Sequence, residues 1–97
     1  MATFVVLGNW TAEGARGAKD TVARSEQVRE TARRLGGEVT HVFWLMGRYD
    51  AMAIWEAPDE ETATAISLAI ASAGMVHTET LRAFTADEMT SILGKLG

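Results

Sequence analysis

The chain contains no cysteine, which excludes a disulfide framework, thiolate zinc sites, iron–sulfur clusters and cysteine nucleophiles. Its one proline, Pro58, leaves the other breaks between elements to glycine and short polar residues. Aromatic residues are only 7% of the sequence, so nine glycines and many alanines leave few large side chains to fill a core. A domain of this size buries only about 60 to 65% of its unfolded surface. Self-association would supply the missing burial.

Positive charge is also short. Nine Lys/Arg against thirteen Asp/Glu leave a net charge of −4, which repels a phosphate backbone and excludes nucleic acid as a partner. The imbalance lies in the second half: residues 1–48 carry +2 and residues 49–97 carry −6. Long hydrophobic runs are missing too. The longest stretch without a formal charge, 62–78, includes five Ser/Thr, His77 and Gly74, short of the ~20 apolar residues a spanning helix requires. No basic region precedes the apolar run Phe4 to Leu7, which is too short for a signal-peptide core. We therefore expect a mature, unexported, cytoplasmic chain with no membrane partner.

What remains, 47% hydrophobic and 23% charged residues, suits one globular domain spanning residues 1–97. Residues 3–10, TFVVLGNW, combine β-branched and aromatic types and read as a strand. From Thr11 to Lys19, Gly14 and Gly17 each weaken a helix by ~1 kcal/mol relative to Ala, which predicts one loose turn. Asp20 or Thr21 then caps a helix with Val22, Val28, Ala32 and Leu35 along one stripe, ended by Gly36 and Gly37 in a left-handed cap.

Glu38–Met46 and Tyr49–Ala57 are β-type runs separated by Gly47 and Arg48, which predicts a two-residue type II′ hairpin. That register puts Met46 opposite Tyr49, Trp44 opposite Ala51, Val42 opposite Ala53 and Thr40 opposite Trp55 on one side. Val39, His41, Phe43, Leu45, Asp50, Met52, Ile54 and Glu56 take the other. Asp59 caps a helix over 60–73 with Ile66, Ile70, Ala73, Ala63 and Ala69 on its apolar stripe. Its small residues, matched by Ala51 and Ala53, place the helices on the side of Trp44 and Trp55. Met75–Phe84 alternates as a fourth strand, and Thr85 with Glu88 forms a capping box before a last helix bearing Met89, Ile92, Leu93 and Leu96.

Right-handed βαβ crossovers and one hairpin turn this order, βαββαβ plus a C-terminal helix, into an α+β fold. It is a four-stranded antiparallel sheet of order 4132 with both main helices on one side, the ferredoxin-like arrangement. The uncovered face then carries Phe43, Leu45, Met52 and Ile54, a patch that a monomer should not leave in water. Two copies meeting sheet to sheet would bury it as an isologous homodimer.

VLGNWT at 6–11, LGGE at 35–38, MGRYD at 46–50, EAPD at 56–59 and TETLRAFT at 78–85 occur in one order along nearly the whole chain. In these blocks the sequence resembles the GYD-domain family, within the dimeric α/β-barrel group of ferredoxin-like proteins. It departs where similar sequences tend to have Ser-Pro after the aspartate opening the first long helix: this chain has Thr21 and Val22. Trp44 and Trp55 also stand where aliphatic residues are more usual. The resemblance implies the fold and dimerisation, and implies no reaction.

His41 and His77 are the two side chains that titrate near neutrality without perturbation, and beside Asp50, Glu56 or Glu79 either would make an acid–base pair. The competing reading is polar residues on edge strands. Two widely separated histidines lack metal-ligand spacing, so no metal and no cofactor is expected. Asn9 and Trp10 would orient a polar aromatic substrate above the apolar patch, as some cofactor-free oxygenases of the barrel group do; alternatively they cap a turn and fill core. Gly47 to Asp50 reads as a conformational turn, Asp50 anchoring backbone amides, with ligand contact by Tyr49 or Arg48 the alternative. Arg82 reads as the partner of a carboxylate. No phosphate-loop, nucleophile-elbow or RNA-binding pattern is present.

Three functions are consistent with these residues. The first is a homo-oligomeric module holding a small apolar or aromatic metabolite between its sheets, against Phe43, Leu45, Met52, Ile54, Asn9, Trp10 and Tyr49. The second is a cofactor-independent monooxygenase or isomerase using His41, His77 or Asn9. The third is a structural oligomer with no internal ligand.

Overall fold

A computed structural model describes residues 1–97 as β1 (Ala2–Trp10), α1 (Ala12–Arg16), a 3-10 turn (Ala18–Asp20), α2 (Thr21–Arg34), β2 (Glu38–Trp44), β3 (Ala51–Ala57), α3 (Glu60–Ser72), β4 (Val76–Ala83) and α4 (Ala86–Gly94). The strands form one antiparallel sheet of order β2-β3-β1-β4, the ferredoxin-like order expected. Strand alternation sends Phe4, Val6 and Gly8 of β1 and Trp55 and Ala57 of β3 to one side, where all five are buried. There Val6, Val39 and Trp55 meet Ala32 of α2 and Ile66 of α3, while Phe4 and Ala57 meet Ala63.

The helix ends follow their local chemistry. Leu35, Gly36 and Gly37 close α2: Gly36 takes φ of 100°, its N–H reaches Arg33 O, and the Gly37 N–H reaches Ala32 O at 2.8 Å. Asp59 accepts the Thr62 N–H at 2.7 Å to open α3, and Thr85 and Glu88 exchange both bonds of the capping box at α4.

Four expectations are corrected. Asp20 caps nothing, because α2 grows straight out of the 3-10 turn; Thr21 Oγ1 instead accepts the indole N–H of Trp44 at 3.0 Å. Val22 stands 61% exposed, and Leu35 is also exposed, so the α2 stripe narrows to Val28 and Ala32. The hairpin strands are shorter than the β-type runs, ending at Trp44 and beginning again at Ala51, and the expected two-residue type II′ turn does not form: the last bond is Leu45 N–H to Asp50 O, with none between Met46 and Tyr49. A bulge at Thr40 pairs Val39, rather than Thr40, with Trp55. One extra residue reverses facing, so Val39 enters the core while His41 stays on the opposite side.

α4 buries no residue. Its apolar side is bare, with Leu93 52% and Leu96 81% exposed. The radius of gyration, 14.5 Å, exceeds the about 12.5 Å expected of a compact chain this long, and the longest dimension is 52 Å against 17 Å for the shortest. No helix is long and apolar enough to cross a membrane.

Candidate functional site

The face of the sheet turned away from α2 and α3 is the first candidate. The registers align its residues in rows across β2, β3, β1 and β4: Phe43, Met52, Leu7 and Glu79, then His41, Ile54, Val5 and Leu81. Six apolar side chains thus form one block, with Phe43 47% and Leu81 43% exposed at its two edges. Phe43, Met52 and Ile54 are the members that the hairpin pattern predicts. Val5, Leu7 and Leu81 have no such signal, because their facing depends on how β1 and β4 pair with the hairpin. Leu45 lies just beyond the end of β2.

A polar end adjoins this block and is built by the residues around Gly47. Gly47 takes φ of 111° at the hairpin tip, and the Leu45 N–H donates to Asp50 O at 2.8 Å. Beyond that bond, Asp50 leaves its own strand pair. Its N–H donates to Gly8 O, and its Oδ2 accepts the Trp10 N–H at 2.9 Å, so one residue ties the tip to the end of β1. Tyr49 reaches further, its hydroxyl donating to Glu79 Oε1 of β4 at 3.2 Å. The Arg48 guanidinium lies 5.4 Å from the Tyr49 ring centre.

The remaining candidates fall apart into separate places. His41 and His77 lie on β2 and β4, the two edges of the sheet, at least ~14 Å apart at three strand spacings. His41 stacks on Phe43 with ring centres 6.0 Å apart and its Nδ1 meets Thr40 Oγ1. His77 stands opposite Asn9. Neither histidine forms an ion pair within the chain. Asn9 and Trp10, being adjacent in a strand, point to opposite faces: Asn9 joins the open face, and Trp10 lies among the residues beneath the helices. Glu56 lies at the far end from Tyr49, paired in register with Thr3. Arg82 pairs with Glu88 at 3.2 Å and Glu60 at 3.9 Å, its guanidinium over Phe84 and Phe4.

Two carboxylates are held below their ordinary range, both at helix starts. The Thr62 amide lowers Asp59, and the Thr85 amide with Arg82 lowers Glu88. They serve capping and lie away from the open face.

A second feature has no forerunner in the sequence. Between α2, α3 and the sheet is a cleft of about 230 Å³. Its strand residues Gly8, Ala51 and Ala53, Ala69 of α3 and Ala73 just past the end of α3 are too small to close it. Small residues here predict tight helix-to-sheet contact; at this end of the domain they leave space instead.

An antiparallel four-stranded sheet with two helices on one side defines an α+β protein of the ferredoxin-like class. The GYD domain matches residues 4–93, and the chain belongs to that family. It is similar, at 33% identity over 94 residues, to the Thermus thermophilus protein named glutamine synthetase and cystathionine beta-lyase binding protein; the match spans 96% of this chain and 99% of that one. The crystal structure of TTHA0845 from the same organism is similar at a TM-score of 0.56 and 30% identity, over 89% of this chain and 96% of that chain.

Proposed function

We propose that this protein is a homo-oligomeric binding protein, its open sheet face being the seam between copies and its role the capture of a partner enzyme. The observation that supports this reading is the apolar block of Val5, Leu7, Phe43, Met52, Ile54 and Leu81, which is continuous across all four strands and of which no member is buried. Four strands about 4.8 Å apart and some seven residues long present about 500 Å² per copy, so a sheet-to-sheet pair buries about 1,000 Å², the lower bound of a specific interface. In this reading Phe43, Leu45, Met52 and Ile54 serve association rather than an enclosed metabolite.

The partner class follows the relative's name, a protein that binds glutamine synthetase and cystathionine beta-lyase. Two measurements test the proposal: the mass of the purified protein by light scattering, and its binding to those two enzymes from its own source organism by calorimetry. We expect a mass at least twice the 10.5 kDa of one chain, reduced to one chain by Phe43→Asp with Leu81→Asp, and saturable binding to one of the enzymes. A wild-type monomer at micromolar concentration overturns the seam. Failure to bind either enzyme overturns the partner.

A further inference from the structure

The geometry points to a ligand site on the opposite side of the sheet, in the cleft between α2 and α3, for a small monocarboxylic acid with an aromatic or compact aliphatic body. Apolar cavities of about 150 Å³ take up benzene, so a cleft of about 230 Å³ has room for one ring with a short substituent. Its walls are apolar: Val6, Val28, Ile70 and Met75 surround the space, Trp10 offers an indole surface to an aromatic ring, and the buried Trp55 backs the cleft from beneath.

The polar groups indicate which end of a ligand carries charge. Arg24 is the single charged residue in the lining. Its Nη1 donates to Gly17 O at 2.7 Å and its Nη2 to Gly14 O at 3.3 Å. Those carbonyls hold the guanidinium without neutralising it, since neither carries a formal charge. The guanidinium keeps further N–H donors for a carboxylate. Thr31 and Thr78 add hydroxyls to the same lining. An acid whose body lies against Trp10, Val28 and Ile70 and whose carboxylate faces Arg24 satisfies both the apolar walls and this lone cation.

Phenylacetate is a suitable probe, with phenylacetamide as its uncharged counterpart. In wild-type protein labelled with ¹⁵N, we expect saturable shifts of the Trp10 indole N–H signal, with the backbone N–H signals of Met89 and Leu93, which are outside the lining, unmoved. Phenylacetate should bind at least tenfold more tightly than phenylacetamide. Ala53→Leu, which fills the floor, should abolish the shifts while leaving the circular dichroism unchanged. Arg24→Gln should remove the preference for the acid over the amide. Absence of saturable shifts, equal affinity for acid and amide in the wild type, or shifts at Phe43, Ile54 and Leu81 instead would each overturn the site. If Ala53→Leu misfolds, the wild-type comparison of acid with amide still decides. None of these outcomes bears on the sheet-to-sheet seam, which is read by mass.

Discussion

Asp50 accepts the backbone N–H of Trp10 at 2.9 Å through its side chain, and this bond joins residues forty positions apart where the β1–β3 ladder runs out. A strand end normally frays because its last amides have no partner. Here a carboxylate takes the place of the missing strand, while the Asp50 N–H holds Gly8 O at 2.9 Å. Asp50→Ala removes a charge-assisted bond at a half-buried position, and we expect a loss of about 1–2 kcal/mol in urea unfolding. Asp50→Asn, which keeps an acceptor oxygen, should lose less. Equal stability of all three proteins would show the bond to be incidental.

Gly14 supplies a second test, because its position reverses an ordinary expectation. By helix propensity alone, Gly14→Ala in α1 should stabilise by ~1 kcal/mol. In the fold, a Cβ there would lie 2.0 Å from the carbonyl oxygen of Met75, an atom fixed by its bond from the Thr11 N–H at 3.1 Å. The clash is with backbone and has no flexible side chain to relieve it, so we expect a net loss of about 2 kcal/mol or more. Gly94→Ala in α4, where nothing lies within 4 Å, should gain helicity instead. Thermal unfolding and far-UV circular dichroism separate the two.

These contrasts show what sequence can carry. The Gly36–Gly37 stop, the Asp59 cap, the Thr85–Glu88 box and the hairpin tip at Gly47 are local, each decided by residues within a few positions, and were legible. Facing was legible wherever alternation ran unbroken, as from Val42 to Trp44. Thr40 defeated it because an exposed threonine beside an exposed histidine gives no sign of which is bulged out. The open face was half legible. Phe43, Met52 and Ile54 follow from the hairpin, whereas Val5, Leu7 and Leu81 follow only from strand pairings distant in sequence. Gly14 owes its place to Met75, and no local signal reports that. The cleft was illegible for a related reason: alanines permit close packing, and whether a helix takes the permission depends on the whole layer.

Phe43 and Leu81 test the open face most directly, since they sit at opposite edges of the apolar block and neither contributes to the buried core. Replacing an exposed side chain costs a folded monomer little, within about 0.5 kcal/mol. A charge placed in a sheet-to-sheet seam costs far more, because it must be desolvated. Phe43→Asp and Leu81→Asp should therefore leave monomer unfolding almost unchanged at high dilution and lower the oligomer's apparent stability at high concentration. A concentration-independent melting temperature in the wild type would contradict this expectation.

The last prediction concerns acid and α4. A helix of nine residues is shorter than the ~12–15 that stand alone in water, and α4 buries nothing, so its order depends on its ends. Glu88 accepts the Thr85 N–H at 2.9 Å and pairs with Arg82 at 3.2 Å, which places its carboxyl below the ordinary value of 4.5. A carboxyl lowered on folding stabilises the folded form at neutral pH, and that contribution is lost as pH falls through the lowered value. Asp59 behaves alike at α3, starting from an ordinary value of 3.8, yet α3 is also held by Ala63 and Ile66 in the core. Acidification below pH 4.5 should therefore release amide-exchange protection over residues 86–94 before it touches α3. Thr85→Ala should reproduce the first effect at neutral pH and leave the second unchanged. Simultaneous loss of both helices would mean that α4 is anchored by something other than its cap.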